Sequence, residues 1–150
     1  MQSTPDISVV VPLYNEAESL PELVEWIDRV AADNRLSYEL LLIDDGSDDA
    51  SWATIMQLKE RFAAIRAIGF ARNYGKSAAL YCGFAAARGE AVFTMDADLQ
   101  DSPDEIPAIR RMILDEGYDL VSGWKRKRHD PAGKRLPSRF FNWTARAVSG

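Results

Sequence analysis

Two carboxylates one residue apart, Asp96 and Asp98, lie in the stretch Thr94-Met95-Asp96-Ala97-Asp98-Leu99-Gln100, directly behind an apolar run. Such oxygens are hard ligands for a divalent cation, and a cation held there can in turn bind a diphosphate. Gln100 offers a neutral oxygen two residues further on. Asp-x-Asp alone is also found solvated or capping a helix, so the reading rests on its company. Asp44-Asp45-Gly46-Ser47-Asp48 closes a second apolar stretch, and Pro12-Leu13-Tyr14-Asn15-Glu16 closes a third. Tyr14 and Glu16 can stack on and hydrogen-bond to a base, while Asp44 or Asp45 takes donors of the base or ribose. Taken singly, Tyr14 serves equally for packing and Asp45-Gly46 as an ordinary turn. Three acidic strand ends together point to a nucleoside diphosphate site. Neither Gly-x-Gly-x-x-Gly nor Gly-x-x-x-x-Gly-Lys is present, so the dinucleotide fingerprint and the P-loop are both missing.

Acids of this kind do their work at the carboxyl edge of a sheet, where open α/β folds bind ligands. Ala91-Val92-Phe93-Thr94-Met95 reads as a strand buried on both faces. Ile7-Ser8-Val9-Val10-Val11 reads as the first strand, ended by Pro12, which has no amide hydrogen for a ladder. Residues 38–43, 65–70 and 118–123 complete a set of five. Between them, Ser19-Leu20-Pro21-Glu22 has capping-box spacing, and Leu20, Leu23, Val24, Ile27 and Val30 form one apolar helical face. A helix over 50–62 packs Trp52, Ile55 and Phe62. Another over 77–88, rich in Ala and Gly, suits close approach to the sheet, carries Cys82 as a small core residue and is closed by Gly89. Ser102-Pro103-Asp104-Glu105 is a second capping box, opening a helix that Pro107 delays by a turn and Gly117 stops. Strands and helices in alternation predict an α/β, Rossmann-like fold, a mostly parallel sheet with helices on both faces.

A chain of 150 residues that is 47% hydrophobic fits one domain. A single cysteine rules out an internal disulfide and a four-cysteine zinc site, in keeping with a reducing compartment. No basic-then-apolar leader opens the chain, and no window approaches the ~18 apolar residues needed to cross a bilayer. The net charge of -5 divides unevenly. Residues 1–120 hold 10 Lys/Arg against 22 Asp/Glu (-12), whereas residues 121–150 hold 8 against 1 (+7). A basic end on an acidic body suits a phosphorylated substrate or an anionic membrane surface. Nucleic acid is not expected, since neither a recognised motif nor a basic body is present.

Pro12-Leu13-Tyr14-Asn15-Glu16, Ile43-Asp44-Asp45-Gly46-Ser47-x-Asp49, Asn73-Tyr74-Gly75-Lys76 and Asp96-Ala97-Asp98-Leu99-Gln100-Asp101, in this order, resemble glycosyltransferase family 2. More narrowly, they resemble its polyprenol-phosphate sugar transferases, the group of dolichol-phosphate mannose synthase and the bactoprenol glucosyltransferases. The resemblance spans residues 7–139. It implies a GT-A fold, a UDP- or GDP-linked sugar donor, Mg2+ or Mn2+, and transfer with inversion. It also implies roles: Pro12, Tyr14, Glu16, Asp44, Asp45, Lys76, Asp96 and Ala97 on the nucleotide; Asp96, Asp98 and Gln100 on the metal; Asp96 and Asp98, with Lys125 and Arg139, in catalysis. Gly123-Trp124-Lys125 and Ser138-Arg139 match the segments where mannose synthases set arginines against phosphate. Lys125 stands where the first arginine is expected, a point charge in place of a bidentate fork.

The basic end agrees with that chemistry. A sugar-hydroxyl acceptor needs a general base to remove its proton, whereas a lipid phosphate is already an anion and needs cations to bring it beside the donor. Lys125, Arg135 and Arg139 are the candidate grip on that phosphate, a solvated loop being the plain alternative. Lys76 and the metal would stabilise charge on the departing nucleoside diphosphate. The expected organisation is a nucleotide-sugar-binding core over residues 1–123 and, over 124–150, a basic loop beginning an acceptor and membrane-proximal segment. Family members continue into an acceptor subdomain and usually membrane helices. The expectation is therefore a truncated catalytic domain, soluble by itself, of a longer protein working at a membrane's cytoplasmic side. Two rivals stand beside it: a family 2 enzyme that uses a sugar hydroxyl in polysaccharide synthesis, and a nucleotide-sugar-binding module without catalysis.

Overall fold

The computed structural model describes residues 3–122. Four strands, β1 (Ile7–Leu13), β2 (Tyr38–Asp44), β3 (Ile65–Gly69) and β4 (Ala91–Thr94), form a wholly parallel sheet in the order β3-β2-β1-β4. Helices α1 (Leu20–Asp33), α2 (Ser51–Arg61) and α3 (Lys76–Ala86) make the crossovers, and α4 (Ile106–Leu114) follows β4. In-register partners point to the same face, so Val9, Leu40 and Ile65 pack with α1, α2 and α4. Val10, Leu41 and Ile43 point the other way and pack under α3. Every residue of β1 is therefore buried, and its valines come from the hydrophobic run that marked it as a two-faced strand. Each such side chain contributes about 1.5–3 kcal/mol by leaving water. Helix α3 sits so low on the sheet that a Cβ on Gly83 would come 2.3 Å from Val10 Cγ1.

Several local expectations are corrected. Strand β1 does not end at Pro12 but runs to Leu13, with Pro12 opposite Ile43. Val10 O accepts from Met95 N on the β4 side and Leu13 O from Asp45 N on the β2 side. By that alternation the proline nitrogen faces the β4 side, beyond the last paired residue, Thr94, where no ladder bond is lost. Neither capping box forms: Ser19 Oγ donates back to Glu16, and a 3-10 turn at Pro103–Glu105 precedes α4, which starts at Ile106 ahead of Pro107. Gly89 is no helix cap. Its missing side chain admits the backbone of Ser8, 2.5 Å from where a Cβ would stand. Trp52 stays partly exposed with its ring over Gly69, and Cys82 is only half-buried. Residues 118–122 form no strand, because no neighbouring strand among the described residues offers them a ladder; Tyr118 N instead returns to Met112 O.

Candidate active site

All four strands end on the same edge, and their exit loops are tied to one another. After β1, Asn15 takes a left-handed conformation (φ 54°), which Asn tolerates better than most residues. Its side chain exchanges hydrogen bonds with Asp48, its N–H donates to Ser47 Oγ, and the N–H of Glu16 donates to buried Ser51 Oγ. After β2, both oxygens of Asp45 accept backbone amides of the β3–α3 loop, Tyr74 N at 2.7 Å and Gly75 N at 3.0 Å. Gly46 (φ 73°) packs against the same loop so tightly that a Cβ would meet Arg72 C at 2.3 Å. The Tyr74 ring is held by the Arg72 guanidinium, 4.8 Å from its centroid, and by the edge of Phe70. Gly75 (φ 100°) then turns the chain into α3, whose first residue is Lys76.

After β4 the chain makes a tight acidic turn. Asp101 Oδ2 accepts Asp96 N, and Asp98 Oδ1 accepts Gln100 N, while Leu99 is left with φ 64°. A left-handed leucine costs on the order of 1–2 kcal/mol, and strain of this kind concentrates at functional turns.

A cleft of about 230 Å3 gathers Pro12, Leu13, Tyr14, Glu16, Asp45, Lys76, Asp96, Ala97 and Asp98. The four loops thus bring together seven of the residues singled out for nucleotide contact, with Asp98 beside them. Asp44 is not among them. It is buried, accepts from Ser47 N, and lines a neighbouring pocket with Trp52 and Phe70. Gln100 lies past the Leu99 turn and does not line the cleft. Lys125, Arg135 and Arg139 lie outside the described residues. Asn15, Ser47 and Asp101 stand within the motifs but were given no role in the sequence, and Ser51 was not singled out; together they position the loops. Their signal was their place among small polar residues in or next to each acidic motif.

Among the described residues the cleft carries four carboxylates against one ammonium, so a diphosphate meeting these groups alone would be repelled. Lys76 Nζ lies 2.5 Å from Asp96 Oδ1. Among the described residues no three His, Cys, Asp or Glu side chains are grouped to hold a metal. The donor set suits Mg2+ or Mn2+ nonetheless: hard oxygens from one or two carboxylates, with substrate phosphate and water completing the shell, is how such ions are usually held. No helix among the described residues is long and apolar enough to cross a membrane.

Comparison with known proteins places these features in context. The family Glycosyl transferase family 2 matches residues 8–147. Undecaprenyl-phosphate 4-deoxy-4-formamido-L-arabinose transferase of Pseudomonas aeruginosa PAO1 is 40% identical over 145 residues, covering 96% of this chain and 42% of that protein. Its counterpart in Pseudomonas fluorescens SBW25 is 41% identical over 149 residues, with the same coverage. The chain thus spans about 42% of the length of these relatives. Among solved structures, mannosyltransferase PcManGT from Pyrobaculum calidifontis in complex with GDP-Man and Mn2+ superposes with a TM-score of 0.62 at 26% identity, over 74% of this chain and 33% of that one. S. aureus TarS 1-349 in complex with UDP shares the fold, with a TM-score of 0.59 at 22% identity over 74% of this chain and 32% of that one.

Proposed function

The chain belongs to glycosyl transferase family 2, and from that premise we propose that it carries the donor site of an inverting transferase moving a sugar from a nucleoside diphosphate to a polyprenyl phosphate. The observation that carries this reading is the meeting of Tyr14, Glu16, Asp45, Lys76, Asp96 and Asp98, from four separate loops, in one cleft. The similarity to undecaprenyl-phosphate transferases supports the acceptor class.

In this reading Tyr14 and Glu16 contact the base and ribose, with Pro12 and Ala97 as walls. Asp45 shapes the wall beside them through the loop it holds, and Asp44 contributes from the adjoining pocket. Asp96 and Asp98 would hold Mg2+ or Mn2+, whose charge offsets that of the diphosphate and of the departing nucleotide. Lys76 adds a positive charge on the same side. Residues 1–123 form the donor-binding core. Residues 124–150 begin the acceptor side, where Lys125, Arg135 and Arg139 meet the lipid phosphate at the cytoplasmic surface of a membrane.

Titration calorimetry with UDP and GDP, with Mn2+ or with chelator, tests the donor site. One nucleotide should bind only with the ion, and Asp98→Ala should remove that dependence. Equal affinity in chelator would refute the metal role, and failure of both nucleotides to bind with Mn2+ would refute the reading.

A further inference from the structure

Among the described residues that line the cleft Lys76 is the one cation, and its ammonium sits on an oxygen that a divalent ion at Asp96 would use. Both ends of this pair are held by backbone bonds. On one side, the Asp45 carboxylate fixes Tyr74 N and Gly75 N, and the close backbone contact at Gly46 allows the loop little freedom. On the other, Asp101 fixes Asp96 N. A surface lysine ordinarily has many partners within reach of its flexible stem, whereas here the chain is delivered to one carboxylate.

We propose that Lys76 is a displaceable counter-ion that couples metal binding to nucleotide binding. Without nucleotide, the ammonium occupies Asp96 and weakens the site for Mg2+ or Mn2+. A diphosphate, carrying more negative charge than one carboxylate, draws the ammonium to itself and releases Asp96 to the ion. Nucleotide and metal then tighten one another's binding by the same factor, as linkage requires. The inference rests on the donor-site reading for its second half; its first half concerns only the metal and this chain.

Free Mn2+ followed by electron paramagnetic resonance decides it, using the 150-residue chain, its Lys76→Met and Lys76→Arg variants, and UDP and GDP as probes. The Lys76 side chain is well exposed, so neither substitution threatens the fold, which circular dichroism verifies. Lys76→Met should bind Mn2+ alone roughly threefold to tenfold more tightly than wild type, the range expected when an exposed ion pair and a repelling charge are removed. The same variant should lose that threefold to tenfold share of the tightening by nucleotide, the share that comes from freeing Asp96, while the direct attraction between ion and diphosphate remains. Lys76→Arg, which keeps the charge, should stay near wild type. Unchanged or weaker Mn2+ binding by Lys76→Met overturns the counter-ion role, even if nucleotide still binds. If Lys76→Met tightens Mn2+ but neither UDP nor GDP binds the wild type with Mn2+, the donor-site reading fails, and with it the coupling.

Discussion

Glu39 offers a test of what holds the cleft's scaffold together from the opposite edge of the sheet. Only 4% exposed, its carboxylate accepts Ser8 Oγ and Arg88 N at 2.6 Å each, Arg66 NH1 at 2.8 Å and Arg88 Nε at 3.4 Å. These bonds tie β1, β2, β3 and the residues just after α3 into one knot, so the seating of α3, and hence of Lys76 at its far end, depends on it. Burial by itself would raise the Glu39 pKa; the hydrogen bonds from Ser8, Arg66 and Arg88 outweigh it and hold the group below its ordinary value. In Glu39→Gln, one oxygen can still serve Ser8 and Arg88 N, but the amide NH2 faces two arginine donors. Bonds to a charged acceptor contribute about 1.5–3 kcal/mol each. The arginine side chains are 37% and 53% exposed, so water screens their share and rehydrates them when the partner is lost, leaving each near the surface-pair range of about 1 kcal/mol or less. Relief of the buried charge offsets part of the loss. The expected net destabilisation is about 1–2 kcal/mol, or a fall in Tm of roughly 3–6 °C. Urea unfolding of both proteins at pH 7 measures it. A folded-state pKa below the unfolded one adds stability above about pH 4.3 that is lost as pH falls through the folded value, so the gap between wild type and variant should narrow below pH 4. A difference under 1 kcal/mol at pH 7, or a gap indifferent to pH, would refute the account.

Three further outcomes are expected. Gly83→Ala drives a methyl into Val10 and should cost about 1–3 kcal/mol in urea unfolding, since both groups lie in a closed interface. Asp45→Ala strips two acceptors from the Tyr74–Gly75 amides and should lower nucleotide affinity in Mn2+ by on the order of tenfold, read by calorimetry; an unchanged affinity would show that the loop holds Lys76 without it. Arg139→Ala in the longer protein should slow transfer to a short, soluble prenyl phosphate by roughly tenfold to a hundredfold with nucleotide affinity unaltered, and equal rates would reduce the basic end to membrane adhesion.

Much of the architecture was legible because it is local. Runs such as Val9-Val10-Val11 and Leu40-Leu41-Leu42 can only be buried on both faces, and alternation with helices then forces parallel crossovers. Asp96 and Asp98 follow the apolar run of β4, which reads as buried on both faces but, at the sheet's edge, leaves Val92 and Thr94 exposed. What the chain could not disclose locally was decided by pairing and by facing. Residues 118–122 look like a strand but have no ladder partner among the described residues. Asp44 and Asp45 are adjacent and chemically identical, yet consecutive side chains at a strand end point to opposite faces, so Asp45 reaches the cleft and Asp44 does not. The strand order β3-β2-β1-β4 sets β4 beside β1 rather than β3, and only that order brings the Asp96 turn next to Tyr14. Composition and periodicity report which faces of an element are buried; which neighbour buries them is settled by the packing of the whole chain.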